Sequence, residues 1–259
     1  MRTVEGIIYD PRNGQRGLGD LYLPERPQGA PCALVIHGGG WNAMDKHGLA
    51  GVAEFLCECG FGAFNINYRL LGQAPWPACG DDCLAAARFL LDAGHPDMQG
   101  LDRRNLVVVG ASAGGHLALM TGLRLPAVQV RAIVAIAGPA DLAFPLGSGL
   151  SMTGDTPYAR KFFGALPVAE SARRMASPVH YVGAESPPVL CVHSINDDLV
   201  PLAHSERLVA EYAKLGRRAE LFSYDGPGRS HGIWIEGTDP HRLLPPLEAA
   251  IRRFLATVG

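Results

Sequence analysis

The chain has 259 residues, 47% of them hydrophobic and 19% charged, which is enough apolar content for a proper core in one large α/β domain. Its formal net charge of −2 contains no block of like charge, so there is no footprint for nucleic acid or for an anionic membrane. The 32 glycines and 20 prolines follow no period, which excludes a collagen-like repeat and points to many tight turns.

The opening segment MRTVEGIIYDPRNG lacks the basic start and apolar run of a secretory signal, and no stretch approaches the roughly 18 apolar residues of a spanning helix. A soluble, cytoplasmic protein is expected. Strands are predicted at residues 3–9 and 17–23, the second closed by Pro24. Residues 32–37 (CALVIH) form a short, wholly apolar run, as a buried central strand requires. A helix over 46–59, a strand over 61–67 and an amphipathic helix over 80–93 follow, the last with Asp81 and Asp82 in its first turn. The strand at 106–109 (LVVV) runs straight into GASAGG and an apolar helix over 113–123, and then a strand spans 131–137. Residues 138–187 lose all regularity, and so long an irregular stretch in a compact domain marks a lid or binding segment, placed at about 141–180. Order returns with strand 188–193, helix 203–215, strand 219–224 and helix 241–256. Alternating strands and helices predict an α/β fold with a mostly parallel sheet covered on both faces. Neither a repeat nor a linker interrupts 1–259, so a single domain is expected.

Six cysteines (Cys32, Cys57, Cys59, Cys79, Cys83, Cys191) make no C-x-x-C pair and no zinc-type cluster, so neither a metal nor a cofactor is expected. They read as small buried hydrophobes. The spacing admits a Cys79–Cys83 bridge, although both fall near the first turn of one helix.

Chemistry enters at Gly110-Ala111-Ser112-Ala113-Gly114. Average residue usage yields a G-x-S-x-G pattern by accident in roughly one chain in ten of this length. Its setting is what counts: a strand before, a helix after, and only glycine or alanine around the serine. A sharp strand-to-helix turn that exposes a nucleophile demands small flanking residues. A second glycine cluster, His37-Gly38-Gly39-Gly40-Trp41, follows the buried strand. Glycines there free backbone N–H groups to meet an oxyanion, and the usual partner is the N–H after the nucleophile, here Ala113. Phosphate binding is excluded, since neither G-x-x-x-x-G-K-[ST] nor G-x-G-x-x-G occurs at these clusters. A nucleophilic serine needs a base and an orienting acid, in the order Ser, Asp or Glu, His. Asp197 and Asp198 stand just past strand 188–193, and Ser230-His231-Gly232 lies in a glycine-rich loop after strand 219–224.

From about residue 17 onward the chain resembles an α/β-hydrolase of the esterase/lipase superfamily, specifically the small esterases similar to hormone-sensitive lipase and the BD-FAE-like carboxylesterases. The motifs that carry the likeness are LYLP, HGGGW, NYRL, GASAGGHLALM, PPVLCVH with D-x-x-V-P, and SHG. The resemblance implies an α/β-hydrolase fold and a serine esterase with nucleophile Ser112, acid Asp197 and base His231. It makes Asp197 the acid because that residue stands three before the valine of the Val-Pro pair, and it leaves Asp198 facing solvent. It assigns the oxyanion donors to Gly39, Gly40 and Ala113, and pairs Arg69 with an acid at 81 or 82. Trp41 and Trp234 are expected to contact substrate. Three departures stand out: Ala111 where capped relatives carry aspartate, a third strand that begins too early for an N-terminal helical cap, and Ser194 in place of a usual glycine. The first two favour the smaller carboxylesterases; the third has no reading in the sequence. The expected substrate is a small-molecule or carbohydrate ester with a short, acetyl-type acyl group, on an acylated carbohydrate or a phenolic ester. Phe144, Tyr158, Phe162 and Phe163 form either a wall on the alcohol side or a satellite core. Neither nucleic acid nor membrane is an expected partner, and the chain is read as monomer or homodimer. Two other readings are an amide hydrolase resembling kynurenine formamidases, which share the HGG-x-W loop, and a non-catalytic binding relative.

Overall fold

In a computed structural model, which describes residues 1–147, 149–226 and 231–258, the apolar runs assemble into one eight-stranded sheet. Its strands are β1 (Arg2–Ile8), β2 (Leu18–Leu23), β3 (Pro31–Ile36), β4 (Gly62–Ile66), β5 (Asp102–Ala111), β6 (Val130–Ile136), β7 (Val189–Ser194) and β8 (Ala219–Tyr224). Their spatial order is β1-β2-β4-β3-β5-β6-β7-β8, parallel from β4 to β8, with β2 antiparallel to both its neighbours.

The period-2 side-chain alternation of a strand gives the sheet two apolar faces. In β3, Cys32, Leu34 and Ile36 enter one core while Ala33 and Val35 enter the other. The first core is covered by α2 (Ala78–Leu91), α3 (Ala113–Arg124) and α6 (Ala203–Lys214); the second by α1 (Ala50–Glu58) and α7 (Pro245–Thr257). The expected layers are therefore present.

The differences from expectation have local causes. β5 begins at Asp102 rather than 106, because its first four residues are polar and extend beyond the buried core. A 3-10 turn, Lys46–Leu49, precedes α1, and Pro245 starts α7 later than residue 241. The irregular stretch carries two short helices, α4 (Pro157–Phe163) and α5 (Glu170–Met175), too brief to leave a periodic signal. Its two ends are clamped together: Val179 N donates to Ala140 O at 3.0 Å and Leu142 N to Ser177 Oγ at 2.7 Å.

Both readings of its aromatics hold in part. Phe162 is fully buried against Trp41 and Trp76, Phe163 packs on Phe162, and Phe144 lies against His204 and the Arg207 guanidinium. Tyr158 alone of the four lines the main cavity. Of the two candidate acids, Asp82 takes Arg69: the Arg69 guanidinium Nε and Nη2 donate to the carboxylate, Nη2 at 2.6 Å, and the Arg69 backbone N adds a third donor at 2.8 Å. The six cysteines are free thiols, and Cys79 and Cys83 lie one turn apart on α2 without a bridge. No helix among the described residues is long and apolar enough to cross a membrane.

Leu34 sits in the central strand with no exposed surface. Leu34→Ala is expected to lower unfolding free energy by about 2–5 kcal/mol, the cost of lost burial plus a cavity. Urea denaturation measures it, and a loss below that range would mean that the core closes over the gap.

Candidate active site

β5 ends at Ala111, and Ser112 turns the chain into α3 with φ of 58° and ψ of −124°, in the region that favours glycine. Such a residue costs of order 1–3 kcal/mol and persists only where its surroundings over-determine it. They do. A Cβ at Gly110 would meet Gly114 O at 2.1 Å, and one at Gly114 would meet Ile36 O at 2.0 Å. Ser112 N donates to Ile136 O of the neighbouring strand at 2.8 Å. Ser112 also caps α3, where unpaired N–H groups and the helix dipole favour negative charge.

The loop after β7 brings up Asp197 and the loop after β8 brings up His231. His231 Nδ1 stands 2.6 Å from Asp197 Oδ2, and its Nε2 stands 2.8 Å from Ser112 Oγ. Facing a carboxylate, Nδ1 carries the proton and donates, which leaves the Nε2 lone pair to accept from the serine hydroxyl. Asp197 has no exposed side-chain surface, and its Oδ1 accepts from Leu199 N and Val200 N at 3.0 and 2.9 Å. Burial alone would raise its carboxyl, but the imidazoles of His193 and His231 and the Val200 N–H outweigh it, holding Asp197 well below the usual carboxylate range. Asp198 is exposed, which separates the two candidate acids. Ser230 of the expected Ser-His-Gly motif lies outside the described residues.

The glycine loop is oriented by its carbonyls. In a planar trans peptide, the C=O of one residue and the N–H of the next point opposite ways. Gly38 O accepts from Tyr68 Oη at 3.0 Å and His37 Nδ1 at 2.9 Å, and Gly39 O accepts from Asn42 N and Ala43 N, both at 3.0 Å. The N–H groups of Gly39 and Gly40 therefore face away from those partners, on a loop that lines a cavity of about 540 Å3 together with Ser112 and His231. Ala113 opens α3, where its N–H has no intrahelical acceptor.

Trp234 lines the cavity as expected. Trp41 does not. Only 1% exposed, it packs edge-on to Phe162 and its Nε1 donates to His116 Nδ1 at 3.2 Å, so its indole belongs to the core beneath the loop. The loop passes Trp41 at φ of 58°, and the polar edge of so large a buried ring must find an acceptor inside the protein. Met44, Leu150, Leu199 and Ile233 supply apolar wall that sequence reasoning misses; no local pattern marks them, because the cavity gathers them from four distant segments. Ser194, the unexplained departure, receives a place. Its Oγ accepts from Gly226 N at 3.2 Å and donates to Asn196 Oδ1, tying the turn that carries Asp197 to the start of the loop leading to His231.

Sheet order, sharp turn and the Ser112–His231–Asp197 arrangement define an α/β-hydrolase. The BD-FAE family model matches residues 19–212, and the chain belongs to that family. A carbohydrate esterase from gut microbiota, in truncated form, superposes with a TM-score of 0.85 at 22% identity, over 100% of this chain and 96% of that one, a likeness of fold. Esterase LipC of Mycobacterium tuberculosis is 27% identical over 82% of this chain and 54% of its own length. Esterase LipQ of the same organism is 26% identical over 97% of this chain and 62% of its own length. The polyketide synthase trt4 of Aspergillus terreus is 33% identical over 54% of this chain, but over only 6% of its own length. The chain thus spans a small part to somewhat over half of these relatives.

Since Trp41 holds His116 rather than substrate, Trp41→Phe should leave a buried nitrogen unpaired and cost about 1–3 kcal/mol in denaturant, with KM unchanged. A raised KM at full stability would return Trp41 to the cavity.

Burial pushes the imidazoles of His37, His116 and His204 down to about 4. Each folded value lies below the unfolded one near 6.5, so these groups stabilise fully above about pH 6.5, and that contribution is lost as pH falls toward 4. His116→Gln keeps one donor and one acceptor without the titration. Its urea midpoint should fall less than that of wild type between about pH 7.5 and 4.5; equal slopes would refute the assignment.

Proposed function

We propose that the chain is a serine carboxylesterase that cleaves short-acyl esters through an acyl-enzyme. The observation that carries this reading is the continuous relay from buried Asp197 through His231 to Ser112 Oγ, opening on an apolar cavity beside a glycine loop. Two mycobacterial relatives named as esterases, and a gut carbohydrate esterase of the same fold, support it.

In the proposed reaction, Ser112 Oγ attacks the ester carbonyl while His231 Nε2 takes the hydroxyl proton. Asp197 fixes the Nδ1–H tautomer and stabilises the imidazolium that forms. The oxyanion meets the N–H groups of Gly39, Gly40 and Ala113; losing one such donor typically costs about 3–4 kcal/mol of transition-state stabilisation. His231 then protonates the departing alcohol. Water, deprotonated by the same imidazole, attacks the acyl-enzyme, and the acid leaves as Ser112 recovers its proton.

The cavity volume exceeds what an acetyl group fills, so the remaining space is assigned to the alcohol. Trp234 and Tyr158 line it and supply aromatic surface for a sugar or a phenol. An acylated carbohydrate or a phenolic ester is the proposed substrate class.

The test compares p-nitrophenyl acetate, butyrate and octanoate with wild type, Ser112→Ala and Asp197→Asn. Turnover should fall with chain length, vanish in Ser112→Ala and drop about 10³–10⁴-fold in Asp197→Asn. Retained turnover in a folded Ser112→Ala protein sinks the mechanism. Faster cleavage of N-formylkynurenine than of any ester would replace the ester reading by an amide one.

A further inference from the structure

We infer that Tyr158, supplied by the irregular segment between β6 and β7 (the insert), is a positioning residue for the oxyanion site: its hydroxyl fixes the peptide plane that follows Gly40. The inference rests on the esterase reading and adds to it a residue distant in sequence from every catalytic motif.

The glycine loop needs such a hold. Its carbonyls at Gly38 and Gly39 are secured from within the first part of the chain, by Tyr68, His37 and the turn at Asn42 and Ala43. The carbonyl of Trp41 accepts from Leu71 N at 2.9 Å. Between them stands Gly40, with φ of 58° and no side chain to restrict its rotation. The peptides on its two sides are the one that carries the Gly40 N–H and the one that carries the Gly40 C=O. That carbonyl accepts from Tyr158 Oη, reaching across from α4. A Cβ at residue 40 would stand 2.8 Å from the same phenol oxygen, so glycine is what lets the tyrosine approach. The plane that carries the Gly40 N–H is anchored at Gly39 O, and fixing the C=O side as well holds the glycine from both sides, so the N–H keeps its aim. Donors aimed before the charge develops are worth far more than donors that must reorganise.

Tyr158 is suited to a permanent hold. Burial pushes its phenol up to about 12, so it stays protonated and donates throughout the range in which an esterase works. It also forms part of the wall between the main cavity and a neighbouring one of about 440 Å3.

Tyr158→Phe keeps the ring and the wall and removes only the hydroxyl. Two readouts separate positioning from a merely structural role. With p-nitrophenyl acetate, kcat should fall about tenfold while KM stays within about twofold, because a donor that has lost its aim is missed chiefly by the oxyanion of the transition state. Phenylboronic acid, which forms a tetrahedral adduct on a nucleophilic serine and places an oxygen among the oxyanion donors, should lose affinity by the same factor. The thermal midpoint reports that the variant is folded. Wild-type kcat and wild-type boronate affinity in the variant overturn the inference, and so does a raised KM with kcat kept. If wild type cleaves no ester at all, the esterase reading falls by itself. The boronate comparison requires only Ser112 and the donors, and still decides the role of Tyr158.

Discussion

The first turn of α3 lies nearer to the ends of β3, β5 and β6 than any side chain would allow. Gly114 sits over the carbonyls of Ile36 and His37, Gly110 under the carbonyl of Gly114, and Gly115 against Gly138, where an added Cβ would fall 2.0–2.8 Å from backbone atoms. Those collisions are with main chain, which cannot rotate aside as a side chain would. The approach holds Ser112 at its unfavourable φ and presents Oγ above the sheet. Strain of order 1–3 kcal/mol is a sizeable share of a domain's net stability, and it persists because these close approaches over-determine the turn.

Parallel pairing converts that one turn into a site. The register sets Ala111 beside Ile136, Ile136 beside Val192, and Ser194 beside Tyr224, so the C-terminal ends of β5, β6, β7 and β8 share one rim. Residues that leave β7 and β8 need only short loops to reach Ser112. The two loops are further joined to each other, because Gly226 N donates to Ser194 Oγ at 3.2 Å and Asn196 Nδ2 donates to Gly226 O at 3.1 Å. A glycine at 194 would give up the hydroxyl that ties the turn carrying Asp197 to Gly226.

How much of this is legible in the sequence follows from the range of the forces involved. The strands and long helices are local: β3 announces itself by an unbroken apolar run, α3 by a largely apolar one, and the turn at Ser112 by its small residues. Asp197 and His231 are legible because a parallel sheet brings successive strand ends to one rim. The resemblance chooses Asp197 over Asp198, and burial of the one against exposure of the other gives the physical reason. Trp41 is misplaced by sequence reasoning because adjacency to the glycine loop says nothing of which side its indole takes, and His116, its partner, lies 75 residues away. The bond from Tyr158 to Gly40 spans 118 residues and leaves no mark in either segment.

The insert is built into the body rather than hung beside it, and two buried imidazoles do the joining. His116, on α3, accepts from Trp41 Nε1 and donates through Nε2 to Ala176 O at 2.7 Å. His204, on α6, faces the amides of Ala140 and Asp141 with Nδ1 and donates through Nε2 to Pro145 O at 3.1 Å. In each, one ring nitrogen must offer a lone pair and the other a proton, which only the neutral imidazole does. Burial keeps both neutral by holding them far below their ordinary titration. The same desolvation that would be a liability for a catalytic base thus makes these histidines dependable connectors, one at each end of the insert. It also divides the labour among the histidines. His231, hydrogen-bonded to both Asp197 and Ser112, is the one set at the cavity wall and partly open to solvent. Those connectors, with Phe162 buried against Trp41 and Trp76, hold the insert from which Tyr158 reaches the glycine loop.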